Sequence, residues 1–263
     1  MRIKIVKLEL NLTIRRESIV SELEPGVVTQ TQFHSDILER DITLSIYLPK
    51  NYSPLFKYKL VFCFDGLDFF RFGQIHRVYE RLREDEQVER AIFIGFHYET
   101  VDKRREEFSP NGSRAPLTVK AMGQELLPYI DKTFPTFKVA NGRVLLGDSL
   151  AGSIALMTAL SYPRLFNQVG MFSPMFNEVV DLLANRCQFI DQLDIWQAVG
   201  KEEIDFALPT TGERADFLTP NRELKDLLEK FNVTHYYEEF DGGHRWKYWR
   251  KLMEPLLLYF LAE

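Results

Sequence analysis

Five short runs of almost uninterrupted apolar residues constrain this chain most: YKLVFCFDG at 58–66, RAIFIGFHY at 90–98, GRVLLGDS at 142–149, NQVGMFSP at 167–174 and LDIWQAVG at 193–200. A strand with one face in water alternates apolar and polar side chains, whereas a strand covered on both faces reads as a continuous apolar run. Between these runs, apolar residues at mixed spacings of three and four predict helices over 74–88, 116–132, 150–162, 219–231 and 245–261. Thr219, Pro220 and Asn221 stand where one such helix would start. Strand and helix therefore alternate from about residue 58 onward. That order predicts an α/β fold with a mostly parallel central sheet, right-handed crossovers and helices on both faces. Upstream, VVTQTQFHS (27–35) and ITLSIYLPK (42–50) alternate apolar and polar residues, as half-buried antiparallel strands do.

The chain has 263 residues, 45% of them hydrophobic and 27% charged, which suits one large globular domain. No break in composition divides it, so a single domain over 1–263 is expected. Residues 1–24 read as an appended strand and connector ended by Glu24, Pro25 and Gly26. A net charge of −5 argues against a nucleic-acid partner held through phosphates. The opening MRIKIVKLELNLTIRRES lacks a continuous apolar core for a signal peptide, and no run is long enough to span a membrane. Cys63 lies in an apolar run and Cys187 stands apart from it, so free thiols in a reducing cytoplasm are expected. No set of His, Cys and carboxylate residues has metal-ligand spacing, and no cofactor is expected.

The run at 142–149 ends in Gly147-Asp148-Ser149-Leu150-Ala151-Gly152 and passes directly into a predicted helix. A serine at a sharp strand-to-helix turn needs small neighbours because the backbone there is strained. Gly147 precedes Ser149 by two; Ala151, where the usual pattern has glycine, follows by two. Ser149 is thus a candidate nucleophile as well as a plain helix cap. The N–H of Leu150, unpaired at the helix start, is the natural first donor to an oxyanion.

A nucleophilic serine needs a base, and histidine has the matching pKa. His34 and His235 fall in or beside strand-like segments, His76 lies in a helical stretch, and His97 ends an apolar strand ahead of the serine. His244 follows Gly242 and Gly243 in FDGGHRWKYW, between the last strand and the last helix. It fits the order serine, acid, histidine found in α/β hydrolases. The acid would follow the strand ending at Gly200, where Glu202, Glu203 and Asp205 are all within reach. Spacing does not choose among them, and Lys-Glu-Glu is also an ordinary surface cluster.

Taken together, LVFCFDGLDFF, RREEFSPNG, LLGDSLAG and GGHRWKYWR occur in an order and spacing that resemble the putative-esterase branch of the α/β hydrolases. That branch includes esterase D-like proteins, feruloyl esterase domains and enterochelin-type siderophore esterases. The resemblance covers about residue 26 to the end and implies the α/β-hydrolase fold. It implies Ser149 as nucleophile, His244 as base and Glu203 as acid, with Asp205 as the alternate. It implies the backbone N–H of Leu67 as second oxyanion donor, Asp65 as a residue shaping that turn, and Phe172 and Met175 bordering the substrate pocket. Arg104 and Glu107 are expected to pair as a clamp on a long polar loop over 101–117, and Trp246 and Trp249 to seat the histidine loop. The implied activity is hydrolysis of a small-molecule carboxylic ester with a small or aromatic acyl group, through an acyl-enzyme. Hydrolysis of a siderophore trilactone and acyl transfer are the nearest alternatives. From other classes come a non-catalytic binding module on the same fold and a homodimer scaffold built on residues 1–24.

Overall fold

The computed structural model describes residues 26–208 and 212–263. The extension read at 1–24 lies outside the described residues. Eight strands form the main sheet: β1 (Val27–Ser35), β2 (Arg40–Leu48), β3 (Lys59–Phe64), β4 (Ala91–Phe96), β5 (Arg143–Asp148), β6 (Gln168–Phe172), β7 (Asp194–Gly200) and, after a small hairpin of β8 (Phe206–Ala207) and β9 (Arg214–Ala215), β10 (Thr234–Phe240). The spatial order is β1-β2-β4-β3-β5-β6-β7-β10. The β1–β2 and β2–β4 pairs are antiparallel and every later pair is parallel.

The continuous apolar runs have a direct cause. On β3, Leu60, Phe62 and Phe64 enter one core while Val61 and Cys63 enter the other. On β4, Ile92, Ile94 and Phe96 face the first and Ala91 and Phe93 the second. Side chains still alternate with period two, but both faces are dry, so both sets must be apolar.

The first core lies under α3 (Val101–Phe108), α4 (Ala115–Ala121), α5 (Leu127–Thr133), α6 (Leu150–Ser161), α7 (Glu178–Arg186) and α8 (Leu218–Lys230). The second lies under α1 (Gly66–Arg71), α2 (Ile75–Glu84), α9 (Trp246–Trp249) and α10 (Met253–Leu261). In α6 every residue from Ala151 to Leu160 is buried, so it runs as an interior helix with no polar stripe. Cys63 and Cys187 are free thiols. No helix among the described residues is long and apolar enough to cross a membrane.

The predicted helix over 116–132 is α4 and α5 joined by a π-helical turn at Met122–Leu126, and that over 245–261 is α9 and α10 joined by a 3₁₀ turn at Arg250–Leu252. The 101–117 segment, read as a loop, contains α3 instead. Thr100 caps it, its side chain accepting from the Lys103 N–H at 3.2 Å. Its sequence is nearly all polar, yet it buries Glu107 and Phe108, so tertiary partners rather than an apolar stripe hold it. The helix α7 was likewise not foreseen.

Candidate active site

Because β3, β5, β6, β7 and β10 are parallel, their C-terminal ends open on one edge of the sheet, where α/β folds place their sites. The turns there carry Asp65 after β3, Ser149 after β5, Ser173 after β6, Glu203 after β7 and His244 after β10.

Ser149 has φ 53° and ψ −124°, a conformation that non-glycine residues rarely adopt. Its N–H donates to the Phe172 carbonyl at 2.8 Å, which anchors the turn to the neighbouring strand. A Cβ at Gly147 would stand 2.1 Å from the Ala151 backbone, so only glycine lets the helix fold back this closely on the strand. Ala151 is fully buried and fits, so the departure from glycine there costs no space. Ser149 does not act as a side-chain cap for α6, and its hydroxyl makes no hydrogen bond among the described residues, His244 included. It lines a cavity of about 780 Å³ together with Leu150, Met175, Phe176, Phe217 and Arg104.

Glu203 is fully buried. One carboxylate oxygen accepts from the Ser173 hydroxyl at 2.7 Å and the Gly200 N–H at 2.9 Å. The other lies 2.7 Å from His244 Nδ1. A carboxylate only accepts, so Nδ1 carries a proton, and in the neutral imidazole Nε2 is the nitrogen with the lone pair. A Cβ at Gly200 would lie 2.3 Å from the Gly242 carbonyl oxygen and 2.7 Å from Glu203 Oε1. Glycine at that strand end therefore lets both the histidine loop and the glutamate carboxylate close in. The imidazole sits against Phe217 at 4.5 Å, Trp249 at 4.9 Å and Phe206 at 5.3 Å between ring centroids. Trp249 Nε1 also donates to Ser173 Oγ at 3.3 Å. Trp246 packs edge-on against Trp249 and Phe69.

The structure thus brings His244 and Glu203 into contact, and Phe217 spans from the imidazole to the cavity that Ser149 lines. Asp205 stands apart: it is exposed and ion-pairs with Arg214 at 2.7 Å, too far out on the surface to serve as the alternate acid. Glu202 is exposed as well. Phe172 is fully buried against Phe69, Trp196 and Trp249 and lines no part of the cavity, so it belongs to the core. Met175 does line the cavity. Leu67 does not, although its backbone N–H, second in α1, has no partner within the helix. The expected Arg104–Glu107 pair does not form. Arg104 binds Asp65, while Glu107 receives Arg40 at 2.6 and 2.8 Å. Ser173, Phe206 and Phe217 were not foreseen; the turn after the FSP strand end was the one local signal for Ser173.

The other histidines are accounted for elsewhere. His34 pairs with Asp41 on the surface, and His76 stacks on Phe70. His97 meets Ser45 Oγ at 2.8 Å, and burial lowers its pKa to about 4. Burial also lowers that of His235 to about 4. Among the described residues no group of three or more His, Cys, Asp or Glu side chains is placed to hold a metal.

Asp148, directly before Ser149, is buried with Oδ1 unpartnered. Burial first and the Asp65 charge second push its pKa well above the carboxylate range, with Arg104 opposing. Burial, then Asp65, likewise raises Asp68 to about 6. The unfolded chain loses the Asp148 proton near its ordinary value of 3.8, while the folded chain keeps it to higher pH. Stability therefore falls as pH rises through that interval, and the penalty is complete above the folded pKa. Asp148→Asn should be at least as stable as wild type at pH 8, with the difference in urea midpoint shrinking by pH 4. A variant less stable at pH 8 than wild type would show that the ionised carboxylate is used.

The sequence profile of the family described as "Putative esterase" matches residues 35–260. The chain is 40% identical over 232 residues to the uncharacterized protein YjcH of Bacillus subtilis (strain 168), covering 88% of this chain and 96% of that one. Among solved structures it is similar to a ferulic acid esterase (16% identity, TM-score 0.69, 90% of this chain and 98% of that one). It is similar to S-formylglutathione hydrolase FrmB of Staphylococcus aureus (16% identity, TM-score 0.70, 92% and 99%). It is also similar to the enterobactin esterase FES of Shigella flexneri (21% identity, TM-score 0.74), where it covers 89% of this chain but spans 59% of that one. At such identities the structural likeness speaks for the fold, which is that of the α/β hydrolases. With a profile match running through nearly all of the described strands and helices, the chain belongs to the Putative esterase family and is an esterase-type hydrolase of the α/β-hydrolase fold.

Proposed function

We propose that this protein is a serine carboxylesterase that works through an acyl-enzyme on small or aromatic acyl esters. The observation that carries this reading is the 2.7 Å contact of His244 Nδ1 with buried Glu203, at the same sheet edge as a serine with φ 53°. Ser149 Oγ attacks the ester carbonyl carbon as its proton passes to His244 Nε2, and the carbonyl π pair moves onto oxygen. The N–H groups of Leu150 and Leu67 receive that oxyanion. Collapse breaks the bond to the leaving alcohol, which takes the proton from His244. Water then adds to the acyl-enzyme by the same route and releases the acid. Glu203 fixes the imidazole tautomer and stabilises its cation. No metal or organic group enters any of these steps.

Leu150, Met175, Phe176 and Phe217 line the cavity and suit an apolar acyl group. Glu106, Glu213 and Asp216 line it beside Arg104 and Arg105, so no net positive field draws in a polyanionic catecholate. That favours a neutral ester over a siderophore trilactone. The test is labelling with an alkyl fluorophosphonate followed by peptide mass spectrometry. One adduct per chain, on Ser149, is expected, with none on Ser149→Ala. Ester turnover by a chain that resists the reagent would overturn the serine mechanism; a labelled chain that yields only transesterified product with alcohol present would make it an acyltransferase.

A further inference from the structure

Arg104 takes no part in the steps above, yet its guanidinium joins the two turns that they use. Its Nε lies 2.9 and 2.8 Å from the two oxygens of Asp65, and its Nη2 donates to Asp65 Oδ2 as well. The same Nη2 donates to the backbone carbonyl of Asp148 at 3.3 Å. Asp65 is buried with φ 54° and directly precedes α1; its carbonyl accepts from the N–H groups of Asp68 and Phe69. Asp148 is the last residue of β5, and Ser149 follows it. The paired register of β3 and β5 ends at Cys63 and Leu146. Beyond that point β3 and β5 no longer pair with each other, and Arg104 links the turns that follow them from a third element, α3. The ring of Tyr98 lies 5.7 Å from the guanidinium carbon and helps hold the group in place.

We propose that Arg104 is a positioning residue for catalysis, which locks the Asp65 turn to the serine turn so that the Leu67 and Leu150 N–H groups converge on one oxygen. This rests on the serine-esterase reading above. A lysine at 104 keeps the charge but, as a single-point donor, cannot span a carboxylate and a carbonyl in the planar geometry of a guanidinium. The ground-state ester needs only the cavity, whereas the tetrahedral oxyanion needs both amides at short range. A lesion in the spacing of the two turns therefore lowers kcat and leaves KM in place. A displacement of about 1 Å in such a site costs on the order of 100-fold.

The test compares Arg104→Lys and Arg104→Gln with wild type on a p-nitrophenyl ester. Thermal melting and the Kd for a phenylboronic acid, which forms a tetrahedral adduct with a serine hydroxyl, are measured alongside. Expected are folded variants with kcat reduced about 10- to 100-fold, KM within about threefold of wild type, and boronate affinity weakened by the same factor as kcat. Lysine should be the milder of the two. Wild-type kcat in folded Arg104→Lys, a change confined to KM, or boronate affinity unchanged while kcat falls would each overturn the proposal. Failure of both variants to fold would assign Arg104 to stability alone and overturn it too. Fluorophosphonate labelling of wild type keeps the outcomes apart: an unlabelled wild type sinks the serine reading itself, whereas a labelled wild type with an indifferent Arg104→Lys sinks only this proposal.

Discussion

Ser149→Ala is expected to lower kcat for p-nitrophenyl ester hydrolysis by about four to six orders of magnitude, leaving only what the oxyanion donors and binding supply. The fold should survive, because the hydroxyl makes no hydrogen bond among the described residues and the helix start is held through backbone, with the Ser149 N–H on the Phe172 carbonyl. Serine and alanine both carry a Cβ at φ 53°, so the backbone strain of the turn is the same in wild type and variant, and little change in melting temperature is expected whatever the activity does. Activity and stability are therefore separable in this variant. A folded Ser149→Ala retaining more than about a hundredth of the wild-type rate would remove the hydroxyl from the chemistry.

Glu203→Gln is the second large effect, at about 10³- to 10⁴-fold in kcat. The wild-type carboxylate accepts three hydrogen bonds, from Ser173, Gly200 and His244. A glutamine keeps one accepting oxygen. If that oxygen stays on Ser173 and the Gly200 N–H, the amide N–H₂ faces Nδ1 and turns it into an acceptor. The ring proton then moves to Nε2, and the base can no longer take a proton from serine. If the amide flips, the Gly200 N–H loses its acceptor in a buried site, at a cost of about 1–3 kcal/mol. Asp205→Asn should change kcat/KM by less than about twofold, since an exposed pair with Arg214 contributes little. Equal losses in the two variants, or the larger loss at Asp205, would refute Glu203 as the partner of the histidine. The same assay on His244→Gln should match the loss in Ser149→Ala, because serine and histidine act as one unit.

The strands were legible because burial on both faces leaves a nearly continuous apolar run in β3, β4 and β5, and the half-buried β1 leaves the alternating one. The strand β2 alternates in sequence too, yet Leu44, Ser45, Ile46 and Tyr47 are all buried, so there the expectation of a half-buried strand fails. The strained turn was legible because Gly147 must be small where the strand and helix backbones touch. His244 was legible through its glycines and its place after the serine. Helix α3 was not, since its buried side is made of Glu107, paired with Arg40, and Phe108, and charged residues bound by distant partners leave no apolar period. Phe172, which bordered the expected pocket in sequence but was equally consistent with core, turned out to be core for a related reason. A residue at the end of β6 can face the cavity or the second core, and one step of register decides between them. Arg104 was assigned to Glu107, three positions along the same helix, because sequence neighbours are visible and Asp65, thirty-nine positions upstream, is not.

Sequence alone determined the alternation of strand and helix and the turn with its small neighbours, and it marked His244 as the candidate base. Each of these is written in local spacing, where backbone geometry limits which residues fit. Only the tertiary structure decided which carboxylate among Glu202, Glu203 and Asp205 meets the imidazole and which turn receives the arginine. Those choices depend on burial and on the direction of single side chains after the strands have been brought side by side. Three acidic groups within four residues look alike in sequence, and they differ physically once one is enclosed with three donors and another is left in water beside Arg214.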